Sequence, residues 1–209
     1  MPRHKKAERQ EIMGQTRQLL LQAATKEFAR EGYVGANINR ISRAAGFAKG
    51  TIYNYFDSKR ALMLALIDEI AASHIAFVAA SVDQEEDPAR RLERFFEAGF
   101  AWVTENLDQG RVMITTLNGP NPEFKVHMYE AYGPMFQLVG QQIVATGVVQ
   151  GVFRQVEPEA AARLLMTIYL GVGSQVSQRG VHWFSPAEVT SLLLDGLRKH
   201  NKTGQRGEQ

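Results

Sequence analysis

Apolar residues recur at intervals of three and four along most of this chain, the spacing of one face of an α-helix. Leu20, Leu21, Ala24 and Phe28 predict a helix over residues 15–31 that Gly32 should end. Ile38, Ile41 and Ala45 predict a short second helix, with Asn37 as its N-cap, Gly46 as the left-handed residue at its end and Phe47 as the apolar contact that follows. Ile52 and Phe56, four apart, predict a third short helix. Residues 58–80 read as a long one, with Leu62, Leu66, Ile70 and Phe77 inward. After an acidic linker at residues 83–87, Leu92, Phe96, Phe100, Val103 and Leu107 stripe a helix over residues 87–107, with Pro88 in its first turn. Phe95 and Trp102 lie off that stripe and need a second covering surface. Residues 110–118 form a short segment with Met113, Ile114 and Leu117, closed by the loop GPNPE.

Residues 122–149 read as one long helix with two apolar stripes. Phe124, Met128, Ala131, Met135 and Leu138 form the first; Tyr129, Tyr132, Phe136, Val139 and Ile143 form the second. Such a helix must be covered on two sides or border a cavity, and Gly133 and Pro134 should kink it. Pro158 opens a helix to about residue 178, in which Gly171, Gly173, Ser174 and Ser177 permit close approach. Ser185 and Glu188 have the spacing of a capping box around Pro186. The last helix displays Val189, Leu192, Leu193, Gly196 and Leu197, and the chain from Asn201 is polar. The expected fold class is all-α.

Charge adds a direction to this pattern. Residues 1–60 hold 12 Lys or Arg against 5 Asp or Glu, while residues 61–209 hold 12 against 17, within a net of +2. A basic end on an acidic body is the footprint of a protein that meets nucleic acid at one end. Arg3, Lys5, Lys6 and Arg9 belong either to a basic arm that reaches DNA or to a solvated, frayed extension of the first helix. The chain has no Cys, which excludes disulfides, thiolate metal sites and Cys nucleophiles and suits a reducing cytoplasm. No signal-peptide pattern opens it. The longest uncharged run, residues 131–153, is broken by Gln137, Gln141, Gln142 and Gln150, so cytoplasmic localisation without a membrane partner is expected. Glu123, His127 and Glu130 share a helix face with metal-ligand spacing, but no second acidic or His cluster accompanies them. Neither a metal nor another cofactor is expected, and no nucleophile–base arrangement suggests an enzyme.

Two short helices around a Gly-led turn make a helix-turn-helix. With Ile52 and Phe56 inward, Lys49, Thr51, Tyr53, Asn54 and Tyr55 remain for the outer surface. They are mediocre helix formers, but they carry the donors, acceptors and ring faces that base edges and phosphates need. Lys59 and Arg60 open the next helix against its macrodipole, at a cost of a few tenths to about 1 kcal/mol each. Either both extend into solvent or an anion docks there and cancels that cost.

The string GFAKGTIYNYFDSKRAL, residues 46–62, resembles the end of the DNA-binding domain of TetR-type transcriptional regulators, and the likeness extends over residues 15–66. That resemblance implies an N-terminal three-helix helix-turn-helix domain at residues 1–60. It also implies a C-terminal helical ligand-binding and dimerisation domain at residues 61–200, followed by a disordered tail at 201–209. By position, Lys49, Gly50, Thr51, Tyr53, Asn54 and Tyr55 correspond to recognition-helix contacts and Lys59 to a phosphate-binding lysine; Asn37 and Arg43 complete the expected DNA-contacting set. Ala48 departs from the family pattern, which has a Ser or Thr there to cap the recognition helix, a loss of about 0.5–2 kcal/mol. Aromatic and Met side chains gathered on bundle helices suit an apolar pocket, or an ordinary core. With an effector site implied, Phe96, Phe100, Met113, Thr116, Phe124, Met128, Tyr132 and Phe136 are its expected lining. Two late apolar helices with no further chain to cover them predict a homodimer built as a four-helix bundle. Leu164, Ile168, Gly171 and Gln175 on one, and Val189, Leu192, Leu193 and Gly196 on the other, are its expected interface.

The expected function is repression. A homodimer binds a palindromic double-stranded DNA operator and leaves it when a small apolar or aromatic effector enters the body. The alternative is a DNA-bound scaffold whose C-terminal half binds a protein partner.

Overall fold

The computed structural model describes residues 2–179 and 184–197, and all regular elements among them are helical. The side chains of residues 2–7 and 176–179, Ser177 among them, and the polar tail from Asn201, all subjects of expectations above, lie outside the described residues.

The first helix, α1 (Pro2–Gly35), begins well before Gln15, so the expected arm continues the helix. Gly32 interrupts it with φ 66°, a conformation that costs an L side chain but not glycine. The short α2 (Ile38–Ala44) has the predicted ends. Asn37 Oδ1 accepts from the amides of Asn39 and Arg40 at 2.9 and 3.3 Å. Gly46 at φ 85° lets its own amide reach the Arg43 carbonyl while the Phe47 amide reaches that of Ser42, the paired bonds of a Schellman motif.

The predicted third helix is shorter than its pattern. Thr51–Asn54 forms a single 3₁₀ turn whose N-cap is Gly50, two residues past the expected capping position at Ala48, and no side chain caps it. Helix nucleation is costly, and a four-residue segment without a cap has little to offset it. A tertiary tie instead anchors the loop that leads into it: the hydroxyl of fully buried Ser42 donates to the Ala48 carbonyl at 2.6 Å.

The long α3 (Lys59–Val82), capped by Ser58, joins both ends of the molecule and packs on α1, on α4 (Pro88–Glu105), and on α6 (Pro122–Ala131). It is the one described helix long and apolar enough to cross a membrane by length and composition, and its neighbours supply a different reason for that apolarity. Asn106 separates α4 from α5 (Leu107–Asn118) by leaving helical backbone and returning its amide side chain to the Trp102 carbonyl. The predicted helix over residues 122–149 is divided. Tyr132 ends α6, Pro134 sits in the first turn of α7 (Gly133–Gln137), and Leu138–Ala145 widens into a π-helix before α8 (Thr146–Val149). Then α9 (Pro158–Arg179) packs on the π segment and α5, while α10 (Pro186–Leu197), opened by the predicted Ser185–Glu188 capping box, packs on α4.

Three apolar stripes overreach at single positions. Phe77 is 43% exposed, Leu107 sits at the start of α5 partly exposed, and Tyr129 faces out from α6. Phe95 and Trp102 find the covering surface they needed in Tyr169 of α9 and His74 of α3.

Candidate nucleic-acid interface and the cavity behind it

The surface carrying the predicted DNA contacts rests on a few polar anchors. Glu27, buried in α1, accepts the Asn37 amide at 2.9 Å and pairs with Arg40 and Arg30, each at 2.9 Å. One carboxylate thereby fixes the entry to α2. Beneath the recognition turn lie Ile41, Ile52 and Phe56, the last with the Arg17 guanidinium over its ring at 5.4 Å.

Outward, Tyr53 is 53% exposed beside exposed Lys49, Gly50 and Asn54, with Thr51 and Tyr55 half-buried. Arg43 is exposed at the end of α2. Asn37 is exposed too, but its side-chain oxygen is engaged in capping. The fold therefore brings most of the predicted set onto one face. A surface groove runs beside it, between Arg9, Ile12 and Met13 of α1 and Asn54 and Tyr55.

Lys59 and Arg60, read above as cations awaiting an anion or solvent, both have partners. Lys59 Nζ donates to the carbonyls of Val34 and Ala36 at 2.9 and 2.6 Å and lies over the Tyr33 ring. Burial draws its pKa below the ordinary lysine value, offset in part by the Glu27 charge. One of its three N–H groups remains. Arg60 forks onto both carboxylate oxygens of Glu123, in the first turn of α6. Those hydrogen bonds raise the guanidinium pKa and hold the Glu123 carboxyl below the usual range. His127, the second member of the would-be metal face, is 2.7 Å from Asp68 of α3. Residues considered for a metal thus bridge α3 to α6.

The predicted effector residues divide into two groups. Phe96, Phe100, Met113, Met128 and Tyr132 are almost fully buried in the core, and Phe136 packs half-buried against that core. Beside Tyr132 stands His74, with no exposed surface, stacked on Trp102 at 4.1 Å. Its Nδ1 lies 2.9 Å from the Tyr132 hydroxyl, and its Nε2 lies 2.6 Å from that of Tyr169. Since the Tyr132 hydroxyl donates to Met113 Sδ at 3.2 Å, it must accept from His74, which places the proton on Nδ1 and leaves Nε2 to accept from Tyr169. Burial pushes the His74 pKa down to about 3 and those of both tyrosines up. Neither His74 nor Tyr169 was recognised in the sequence. Each sits at a helical core spacing where an apolar residue would pattern identically.

Thr116 and Phe124, the remaining two, line a cavity of about 600 Å³. It lies between the end of α1 (Phe28, Glu31, Gly32, Tyr33, Val34), Met63 of α3, and the α5–α6 connection (Val112, Thr115, Gly119, Pro120, Asn121, Pro122).

Of the predicted dimer residues, Leu164 and Leu192 are 61% and 74% exposed, and Gly171 and Gly196 are exposed with them. Ile168, Leu193 and Gln175 are half-buried, and Gln175 Oε1 is enclosed without a hydrogen-bond partner. Val189 is different: it turns inward and belongs to the core of the single chain.

Residues 20–66 match the sequence model of bacterial regulatory proteins of the tetR family. The HTH-type transcriptional repressor AcnR of Corynebacterium glutamicum is 37% identical over 193 residues, spanning 89% of this chain and 94% of that one. AcnR of Corynebacterium efficiens is 31% identical over 116 residues, and there the match spans 53% of this chain and about half of the relative, 54%. The fold is shared with the transcriptional regulator FadR of Bacillus subtilis, solved in complex with stearoyl-CoA, at a TM-score of 0.75 and 17% identity over 85% of this chain and 95% of that one. With the helix-turn-helix, its all-helical body and a repressor relative aligned over nearly their full lengths, the chain belongs to the TetR family of bacterial regulatory proteins.

Proposed function

We propose that this protein is a homodimeric, effector-controlled repressor that binds a palindromic DNA operator through Lys49, Gly50, Thr51, Tyr53, Asn54 and Tyr55. The observation that carries this reading is the exposed, polar and aromatic outer face of the recognition turn, held from below by Ser42 and Ile52. Arg43 and the remaining N–H of Lys59 face phosphates in this reading, while Asn37 acts through its cap. The apolar surface left open at Leu164 and Leu192 supports a dimer across α9 and α10, and a two-fold protein reads half-sites one helical turn or a multiple apart. An effector that favours a body conformation with the wrong spacing releases the DNA, which requires only unequal affinity for the two states.

The test is to select bound DNA from a random pool and measure Tyr53→Ala and Lys49→Ala on the selected site. Each should weaken specific binding by about tenfold or more, the size of one lost base contact, while the thermal midpoint and the mass in solution stay unchanged. Unaltered affinity in both variants would remove the recognition turn from the interface.

A further inference from the structure

We infer that the cavity between the end of α1 and the α5–α6 connection is the effector site, and that it takes a small neutral apolar molecule with one hydroxyl or carbonyl group. This deepens the reading of the protein as an effector-controlled repressor and rests on it.

The aromatic cluster of the body is closed to solvent. Phe96, Phe100, Met113 and Tyr132 are buried; the two phenylalanine rings pack on each other and on Tyr169, and the Tyr132 hydroxyl is satisfied by His74 and Met113. The junction cavity, at about 600 Å³, has the size of a small-molecule site. Its walls are largely apolar, with Phe28, Val34, Met63, Val112 and Phe124 prominent.

Few polar groups interrupt those walls. Glu31 meets Arg30 and Arg40 through Oε1 and leaves Oε2 without a hydrogen-bond partner among the described residues. Asn121 spends Oδ1 on the Glu123 amide and leaves its NH₂ unused among the described residues. The hydroxyls of Thr115 and Thr116 donate to carbonyls of their own helix, at Arg111 and Val112, and retain only acceptor capacity. One open donor group, at Asn121, and open acceptors at Glu31, Thr115 and Thr116 suit a hydroxyl, or a carbonyl held by Asn121. No Lys or Arg lines the cavity, and its one charged side chain is a carboxylate, so an anionic ligand finds no counter-charge there.

The position suits control. Gly32, Tyr33 and Val34 form the wall on the DNA-reading side, and the Val34 carbonyl and the Tyr33 ring are the seat of Lys59, the first residue of α3. The opposite wall runs into α6, whose Glu123 holds Arg60, the next residue of α3. Phe124 crosses the gap to meet Tyr33 edge-on at 4.6 Å. A molecule that parts Tyr33 from Phe124 therefore loads both ties at the root of α3, beside the recognition turn.

The experiment uses the full chain, DNA selected from a random pool, and Nile red, a neutral apolar dye with a ring carbonyl. Wild type should bind the dye with a blue-shifted emission, and saturating dye should lower DNA affinity about tenfold, a typical allosteric coupling. Thr115→Trp and Val34→Trp, which fill the cavity from opposite walls at exposed positions, should each weaken dye binding about tenfold or more; either variant that keeps a cooperative melt decides the point. Dodecanol should displace the dye and dodecanoate should not. Dye binding indifferent to both tryptophans places the site elsewhere, and stronger displacement by dodecanoate overturns the neutral class. If wild type binds selected DNA but the dye neither binds nor shifts that affinity, the cavity inference fails and the repressor reading stands; if no DNA is selected, the repressor reading itself fails.

Discussion

The DNA-reading end and the body solve the same packing problem with different materials. At the DNA-reading end a small apolar core of Leu20, Phe28, Ile41, Ile52 and Phe56 is fixed by polar side chains that reach main-chain atoms: Glu27 to the Asn37 amide, Ser42 to the Ala48 carbonyl, Lys59 to Val34 and Ala36. In the body, rings interlock around Tyr169, and the polar groups of His74, Tyr132 and Tyr169 satisfy one another. A hydrogen bond to accessible main chain exchanges with water at a net cost of only about 1 kcal/mol, whereas a close-packed aromatic core does not deform gradually. The first kind of construction can tilt and the second acts as a rigid lever, which makes the seam between them the place where movement is cheapest.

The largest effect in this contrast belongs to Gly99 of α4. A Cβ there would overlap the hydroxyl and Cε2 of Tyr169, whose ring is enclosed by Phe95, Phe96 and Phe100. Gly99→Ala should lose about 3 kcal/mol in denaturant unfolding, the upper range for overpacking a close-packed site. Tyr169→Phe should not rescue it, since the ring carbon still collides. Loss of less than about 0.5 kcal/mol would show that the body yields as readily as the DNA-reading end.

Next in size is the response to acid. The buried His74 stays neutral because its pKa falls to about 3, whereas the unfolded chain titrates near the ordinary 6.5. Between those values the unfolded state binds the extra proton, so stability is complete above pH 6.5 and declines as pH falls, by about 1.4 kcal/mol per unit. At pH 5 the loss from this residue is about 2 kcal/mol. His74→Gln should begin less stable at pH 7 and show a flatter decline over pH 7 to 5 in urea titrations; an equal slope in both proteins would mean that the ring is solvated.

How much of this could be read beforehand depended on range. Asn37, Gly46 and the Ser185–Glu188 box were legible because each acts on main chain within five residues, and the break at Gly133 and Pro134 because proline removes an amide wherever it stands. The helix-turn-helix was legible from one string. Glu27, His74 and Tyr169 were not, because their partners lie 10, 58 and 95 positions away, and nothing local distinguishes them from a surface acid or a plain core residue. The cavity was legible only through Thr116 and Phe124: most of its other walls come from α1 and a loop, which pattern as a DNA-domain helix and a turn, and Met63, Val112 and Thr115 pattern as ordinary helix positions. The π-helix after Gln137 left no signal in the apolar spacing, which a wider helix distorts but does not abolish.

Lys59 gives the smallest effect and the finest cut between the two constructions. Its ammonium closes the end of α1 through two carbonyls, yet it stands at the root of the recognition turn with one N–H left. Lys59→Met keeps the aliphatic contact with Tyr33 and removes both roles. The carbonyls regain water, so stability should fall by about 1 kcal/mol or less. Binding should weaken for every DNA sequence alike, and the slope of log affinity against log salt should drop by about one, the signature of a single lost phosphate contact. An unchanged salt slope with the same uniform weakening would assign Lys59 wholly to the corner, as a brace that sets the angle of α3 without touching DNA.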